Sequence, residues 1–268
     1  MPNAQNSQAG FTLIELIMVV MIASIVTVGA TEFISLAVGS YIDTAGRDKM
    51  ASTMVVASEK LVRDLRRALP NSVRVGGDAT DNCVEFIPIL SGSRYITVPL
   101  ASAASTVSSV SHGNASIVSG HIVVYPIDTA DLYSPTDAAP SSITGVTGSV
   151  PVGTNNVTIS LGAAHQFVGD SPDKRIYSVA QPVAYCQPAG SDRVYRYANY
   201  GFNSVAVLPP TGGSKDVLLD DLDSAAPVSF DYASATLARN AVIGFELRAS
   251  VNGETLLLGQ EAQIRNVP

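Results

Sequence analysis

The chain contains the stretch Gly10-Phe11-Thr12-Leu13-Ile14-Glu15-Leu16-Ile17-Met18-Val19-Val20, and the apolar run continues to Thr31. Glu15 is its only charged side chain. At 1.5 Å of rise per residue, about 21 residues span the hydrocarbon core of a bilayer as a helix. A carboxylate near the middle of such a helix costs about 2.5–3.5 kcal/mol on insertion scales. An intramembrane carboxylate is therefore a functional residue by expectation, and its pairing partner is what must be explained.

Three fates of this segment fit its length. A secretory signal peptide would be cut after Val28-Gly29-Ala30, but residues 1–10 carry no Lys or Arg and the apolar core carries Glu15. An uncleaved anchor fits the length and leaves Glu15 unexplained. The third fate is a cut before the apolar run, after Gly10.

Beyond Thr31 no strong helix breaker occurs before Pro70, and Gly29, Gly39 and Gly46 are tolerable inside a helix. Ala51, Met54, Val55, Ser58, Val62, Leu65 and Leu69 follow three-four spacing. Glu59–Arg63 and Lys60–Asp64 stand four residues apart on the polar side. The pattern predicts about 59 residues of nearly continuous helix, ~88 Å long, ending at Leu69-Pro70-Asn71. Its first half, residues 11–31, is apolar all round. Its second half, residues 32–70, is amphipathic and needs a surface to cover its stripe.

Residues 71–268 read as a β-rich head. Strands are expected at Cys83–Leu90, Tyr95–Leu100, Ile122–Pro126, Val157–Leu161, Ile176–Ala180, Val194–Tyr197, Val217–Leu219 and Val228–Tyr232. A final hairpin turns at Val251-Asn252-Gly253, because Asn-Gly is the strongest two-residue hairpin signal. Phe245, Leu247 and Ala249 alternate there with Glu246, Arg248 and Ser250. The Ser/Ala-rich stretch Ala101–Gly120 is expected as an exposed loop or edge hairpin, and Ser134–Thr154, with three prolines, is expected to be similar. The fold class is α+β: one long N-terminal helix packed on an antiparallel sheet.

Composition excludes several functions. The formal net charge of −7 disfavours binding to a phosphate backbone, so nucleic acid is not an expected partner. Cys83 and Cys186 form no CxxC, which argues against zinc. In an exported head they are expected to form a disulfide, with two buried thiols as the alternative. His112, His121 and His165 lie in no metal-binding or catalytic motif, and no P-loop, GxGxxG or GxSxG is present. No enzymatic activity and no cofactor are expected. Asp220, Asp221 and Asp223 are weak calcium candidates, with a solvated turn as the plainer reading. Tyr195, Tyr197 and Tyr200, beside Arg193 and Arg196, form either a glycan patch or cross-strand core.

Gly10-Phe11-Thr12-Leu13-Ile14-Glu15-Leu16 resembles the class III signal of type IV pilins and type II secretion pseudopilins. The resemblance implies a pilin-like fold with a leader at residues 1–10, cleavage between Gly10 and Phe11 by a prepilin peptidase, and N-methylation of Phe11. It implies that Glu15 pairs with the N-terminal amine of a neighbouring subunit. Two departures are visible: the leader lacks the usual basic residue, and the apolar half-helix lacks the proline common in major pilins. The helix end Val62–Pro70 resembles large minor pilins and the J-type minor pseudopilin. Ala68–Val75, Cys83–Pro88 and Ile264-Arg265-Asn266-Val267-Pro268 resemble MshO-type minor pilins of the mannose-sensitive haemagglutinin (MSHA) pilus. That family implies a non-enzymatic subunit that primes or caps filament assembly. Its expected partners are other minor pilins, the major pilin, the peptidase, the inner-membrane assembly platform and membrane lipid. It would sit in the inner membrane by a single pass, head in the periplasm, then enter an extracellular pilus. The alternatives are a J-type pseudopilin of type II secretion and a tip adhesin binding surface glycans.

Overall fold

The computed structural model describes residues 10–79, 82–113, 116–234, 240–251 and 253–264. Most of the proposed leader, Asn252 of the final turn, and Arg265–Pro268 of the C-terminal motif lie outside the described residues. Helix α1 runs over Leu13–Leu65. The chain divides into two compact units between Lys49 and Met50. Among the described residues of the first unit the helix is the one element, and its large apolar side chains are exposed, Leu13 at 78% and Ile25 at 72%.

In the second unit α1 becomes a packing element. Met50, Met54, Ala57, Leu61 and Leu65 recur at three- and four-residue spacing and are buried in one cluster. The buried Ser58 hydroxyl donates back to the Val55 carbonyl at 2.8 Å, so no donor is stranded on this face. The helix stops at Leu65, earlier than the expected Pro70. The reason lies in competing hydrogen bonds. Leu69 N–H donates to the Ile87 carbonyl and Ile89 N–H to the Arg67 carbonyl, both at 2.8 Å. Residues 66–69 thus leave the helix to bridge the segment around Pro88.

Downstream come β1 (Arg74–Gly76), β2 (Cys83–Phe86), β3 (Ile89–Thr97), β4 (Ala104–Val110) and β5 (Ile117–Val124). A one-turn α2 (Thr129–Leu132) follows, then β6 (Gly148–Val150), β7 (Asn156–His165) and β8 (Arg175–Val179). The chain continues with β9 (Val183–Cys186), β10 (Val194–Ala198), β11 (Ser214–Leu219), β12 (Ser229–Ala233), β13 (Ala241–Val251) and β14 (Glu254–Ile264). They form a five-stranded sheet β1-β2-β9-β10-β11, a three-stranded sheet β12-β13-β14, and a closed barrel β3-β4-β7-β6-β5-β8. Every strand pairing among them is antiparallel.

The whole barrel is an excursion between two neighbouring strands of the main sheet. β2 leaves it and β9 returns beside β2, with Cys83 opposite Cys186 in register. Those cysteines form a disulfide that spans 103 residues of chain. Both strands are buried on both faces. Val84, Phe86, Val183 and Tyr185 face the α1 cluster, while Cys83, Ala184 and Cys186 face a second cluster with Tyr197 and Leu208. This two-residue alternation is the ordinary geometry of a strand. β13 and β14 pair from Ala241–Ile264 to Val251–Glu254, and Gly253 takes the positive φ of 82° that the tight turn demands.

Three expectations change. Cys83–Leu90 is two strands, because Pro88 has no N–H to continue a ladder and the chain crosses there from sheet to barrel. Ala101–Gly120 supplies β4 and the start of β5, both barrel strands. Ser134–Thr154 contains β6 and a buried segment, Ser141–Thr144. Val124 N–H donates to the Ser142 carbonyl and Thr144 N–H to the Ile122 carbonyl, which holds that segment against β5.

On the face opposite α1, Glu85 is 2% exposed and pairs with Arg74 across β1–β2. Arg74 Nε donates to Glu85 Oε2 at 2.7 Å, and its Nη atoms donate to the carbonyls of Ser204 and Asn203. The guanidinium lies 3.4 Å over the Tyr133 ring, and the Tyr200 hydroxyl donates to Glu85 Oε1 at 2.9 Å. Burial, with the Glu85 charge next, pushes the Tyr200 phenol far above its usual value. Removing one partner of such a pair strands the other charge. We expect Glu85→Ala to destabilise the full chain by about 3–5 kcal/mol in denaturant unfolding, and Glu85→Gln, which keeps acceptors for Arg74 and Tyr200, to cost less.

Candidate functional site

The N-terminal residues form a helix cap. Thr12 is the N-cap: Glu15 N–H donates to Thr12 Oγ1 at 3.4 Å, and Leu16 N–H donates to the Thr12 carbonyl at 3.2 Å. Thr12-Leu13-Ile14-Glu15 is the sequence form of a capping box, with a threonine followed three residues later by a glutamate. Sequence reasoning passed over Thr12, although the S/T-x-x-E spacing was there to be read. Glu15 also lies in the first turn of α1, where the helix macrodipole favours a negative charge. Two local effects thus favour a carboxylate there, apart from any partner. Phe11 is 84% exposed, and the helix that follows is long and apolar enough to cross a membrane.

The remaining sequence candidates are taken up by structure. The disulfide Cys83–Cys186 is formed. Asp220, Asp221 and Asp223 do not assemble a site. Asp221 takes a positive φ of 57°, and Asp223 Oδ1 accepts the Ala225 N–H at 2.9 Å, as in a turn. Among the described residues no group of three or more His, Cys, Asp or Glu side chains is placed to hold a metal ion.

The histidines are embedded in hydrogen-bond networks. His165 is fully buried between the Asp137 carboxylate, 2.8 Å from Nδ1, and the Ser141 carbonyl, 3.1 Å from Nε2. The Ser141 hydroxyl donates to Asp131, so this Ser, His and Asp do not form a nucleophile with its base. His121 Nδ1 lies 2.8 Å from the Thr144 carbonyl. His112 Nδ1 lies 2.9 Å from Ser91 Oγ, but its buried Nε2 has no acid behind it among the described residues.

The tyrosines are structural too. Tyr195 and Tyr197 share a strand face with ring centroids 6.3 Å apart. Lys215 Nζ stands 3.8 Å from the Tyr195 ring centroid, and Tyr197 is 5% exposed. Lys215 therefore covers one face of Tyr195, and Tyr197 is closed to a sugar by burial. In the barrel, burial and then the Asp170 bond push the Tyr95 phenol up to about 12, so it donates at neutral pH and fixes the 170–174 turn.

Residues 5–31 match the family model of the prokaryotic N-terminal methylation motif. No curated protein and no solved structure matches the chain. The motif, the apolar N-terminal helix and the β-sheet head on which that helix packs are together consistent with the type IV pilin and pseudopilin superfamily. They are also consistent with a single-pass membrane protein.

The cap makes a measurable demand of its own. We expect Thr12→Ala to weaken the first turn of α1 by about 0.5–2 kcal/mol and Thr12→Ser to leave it intact. Amide exchange at residues 13–16 of the full chain in micelles reports the fraying.

Proposed function

We propose that the chain is a structural minor pilin that takes part in biogenesis of a type IV pilus of the MSHA type. A prepilin peptidase cuts between Gly10 and Phe11 and methylates Phe11. The subunit rests in the inner membrane with its head in the periplasm and is then drawn into the filament. The observation that carries this reading is the methylation motif over residues 5–31, running directly into a helix whose large apolar side chains are exposed. An apolar helix surface of this size needs lipid or other helices around it. Inside a filament the amine of one Phe11 and the carboxylate of another subunit's Glu15 neutralise each other, which favours assembly and fixes axial register. The subunit's work is to prime or cap assembly with other minor pilins. Because Glu15 is retained, we place it beneath another subunit rather than outermost.

The helix end Val62–Pro70, with its likeness to the J-type minor pseudopilin, supports a second reading as a type II secretion subunit. Deleting the gene and scoring piliation against secretion separates the two. Against the tip-adhesin reading stand Lys215 over one face of Tyr195 and the burial of Tyr197.

Mass spectrometry of the mature N-terminus, with and without prepilin peptidase, tests the proposal. A peptidase-dependent N-methylated Phe11 is expected, and an intact Met1 in both strains or a start at Thr31 overturns it. Glu15→Ala is expected to reduce incorporation and co-purification with other minor pilins while the head unfolds at an unchanged denaturant concentration.

A further inference from the structure

A cavity of about 450 Å³ opens where the end of α1, the main sheet and the base of the barrel meet. Its volume lies within the roughly 300–1,000 Å³ range of small-ligand sites. The floor is apolar, formed by Phe86, Ile89, Leu90, Val179 and Val183. Gly120 forms part of the wall, and a Cβ there would stand 2.4 Å from Ser178 Oγ and 3.3 Å from the Val179 carbonyl. The close approach of the barrel wall thus requires a glycine.

Polar groups converge over that floor. Arg67 comes from the turn after α1, Arg196 from β10 and His121 from β5. Asp64 is the one carboxylate in the lining. It already accepts the Tyr185 hydroxyl at 2.5 Å, and Arg196 reaches that same phenol. Burial, then the Asp64 bond, pushes the Tyr185 phenol far up, so it remains a donor. Among the described residues the Arg67 side chain makes only a long 3.5 Å bond to the Ile89 carbonyl. Two guanidinium groups, each with five N–H donors, therefore line a cavity whose one carboxylate is engaged by Tyr185, and among the described residues neither is ion-paired with it. In a chain of net charge −7 this is an unusual surplus of cation. His121 adds a complementary group. Its Nδ1 faces a carbonyl, which can only accept, so the neutral ring keeps Nε2 as an acceptor.

We propose that this cavity binds a peptide carboxylate. The arginines take the carboxylate, the apolar floor takes the adjoining side chain, and His121 Nε2 takes a peptide N–H. Bidentate arginine–carboxylate bonds are among the stronger hydrogen bonds in proteins, and the half-enclosed site limits their screening. The carboxylate belongs either to an acidic side chain within an extended segment or to a free C-terminus. The cavity's chemistry does not depend on N-terminal processing, so the filament reading and this one can fail separately.

The test is calorimetric titration of the full chain in neutral-detergent micelles. The probes are N-acetyl-leucine, its uncharged amide, N-acetyl-Leu-Glu-amide and hexanoate. Binding of at least one peptide carboxylate is expected, with the leucine amide at least about tenfold weaker and hexanoate, which lacks the N–H, weaker as well. Preference for N-acetyl-leucine marks a C-terminus as the source, and preference for N-acetyl-Leu-Glu-amide marks a side chain. Arg67→Gln and Arg196→Gln should each weaken binding about tenfold, while Lys215→Gln, outside the cavity, leaves it unchanged. Arg67 lies on the exposed helix end, so its variant stays informative should Arg196→Gln impair folding. Equal heats for acid and amide, unchanged affinity in a folded arginine variant, or no heat up to about 10 mM probe would overturn the proposal.

Discussion

The antiparallel pairing of β2 with β9 is the constraint on which the rest of the head depends. Four residues on each side hold it: Cys83–Phe86 opposite Val183–Cys186. One face of this short ladder supplies Val84, Phe86, Val183 and Tyr185 to the helix-facing core, and the other carries the disulfide. Between the two strands the chain builds a closed six-stranded barrel. A ladder this short is a weak clasp for so long an excursion. Closing a loop of about 100 residues covalently removes up to ~4.7 kcal/mol of unfolded-state entropy in the chain-entropy model. The cross-link acts where that entropy is largest. It spans the complete barrel, so the two barrel ends stay together even when the barrel itself opens.

The two units of the chain meet different solvents. In the first, α1 is satisfied along its backbone by its own hydrogen bonds but leaves its side chains bare, the condition for residence in lipid or among other apolar helices. In the second, the stripe from Met50 to Leu65 is covered by sheet. One uninterrupted helix serves both because nothing in its sequence marks the change except the appearance of charged residues on one side. Glu15 stands out against this background. Its place in the first turn and its spacing from Thr12 give it a local reason to exist, which lowers the cost of carrying a carboxylate there without removing it. What remains of that cost is available to drive pairing with an opposite charge.

Much of the architecture was legible because it rests on strong periodicity. The long helix follows from an absence of proline and a three-four stripe, and the last hairpin from Asn252-Gly253 with clean alternation. The closure of the barrel was not legible, although strands were expected overlapping β3, β5, β7 and β8. From Tyr95 to Ile127, and again from Ala138 to Gly169, the sequence has no Asp, Glu, Lys or Arg. Serine and threonine face outward where charges would normally mark the wet side, so β4 read as an exposed loop or edge hairpin although Val107 and Ser109 point inward. β9 escaped for the opposite reason. It is buried on both faces, so Val183-Ala184-Tyr185-Cys186 shows no alternation, and the five residues between Pro182 and Pro188 are too few to announce a strand. Pro88, by contrast, was an available signal that Cys83–Leu90 must break. At the N-terminus Gly10, Phe11 and Glu15 were readable as a motif, whereas the cavity was not. Its arginines come from a helix end and from β10, 129 positions apart (196 − 67), and only the β2–β9 clasp brings their elements together.

The head's polar groups divide into those matched by the fold and those left over. Arg74 has Glu85, two carbonyls and the Tyr133 ring. Lys174 has Asp170, which also takes the Tyr95 hydroxyl. His165 has Asp137 and a carbonyl. Each of these has partners within the head, as the buried Glu85 and His165 must. Arg67 and Arg196 do not balance, because Asp64 is shared with the Tyr185 phenol. An imbalance on open surface would be met by water and salt at little cost. Placed over an apolar floor in a half-enclosed cavity, the same imbalance is a demand for an anion, and it locates the head's unmet chemistry at the junction of helix, sheet and barrel.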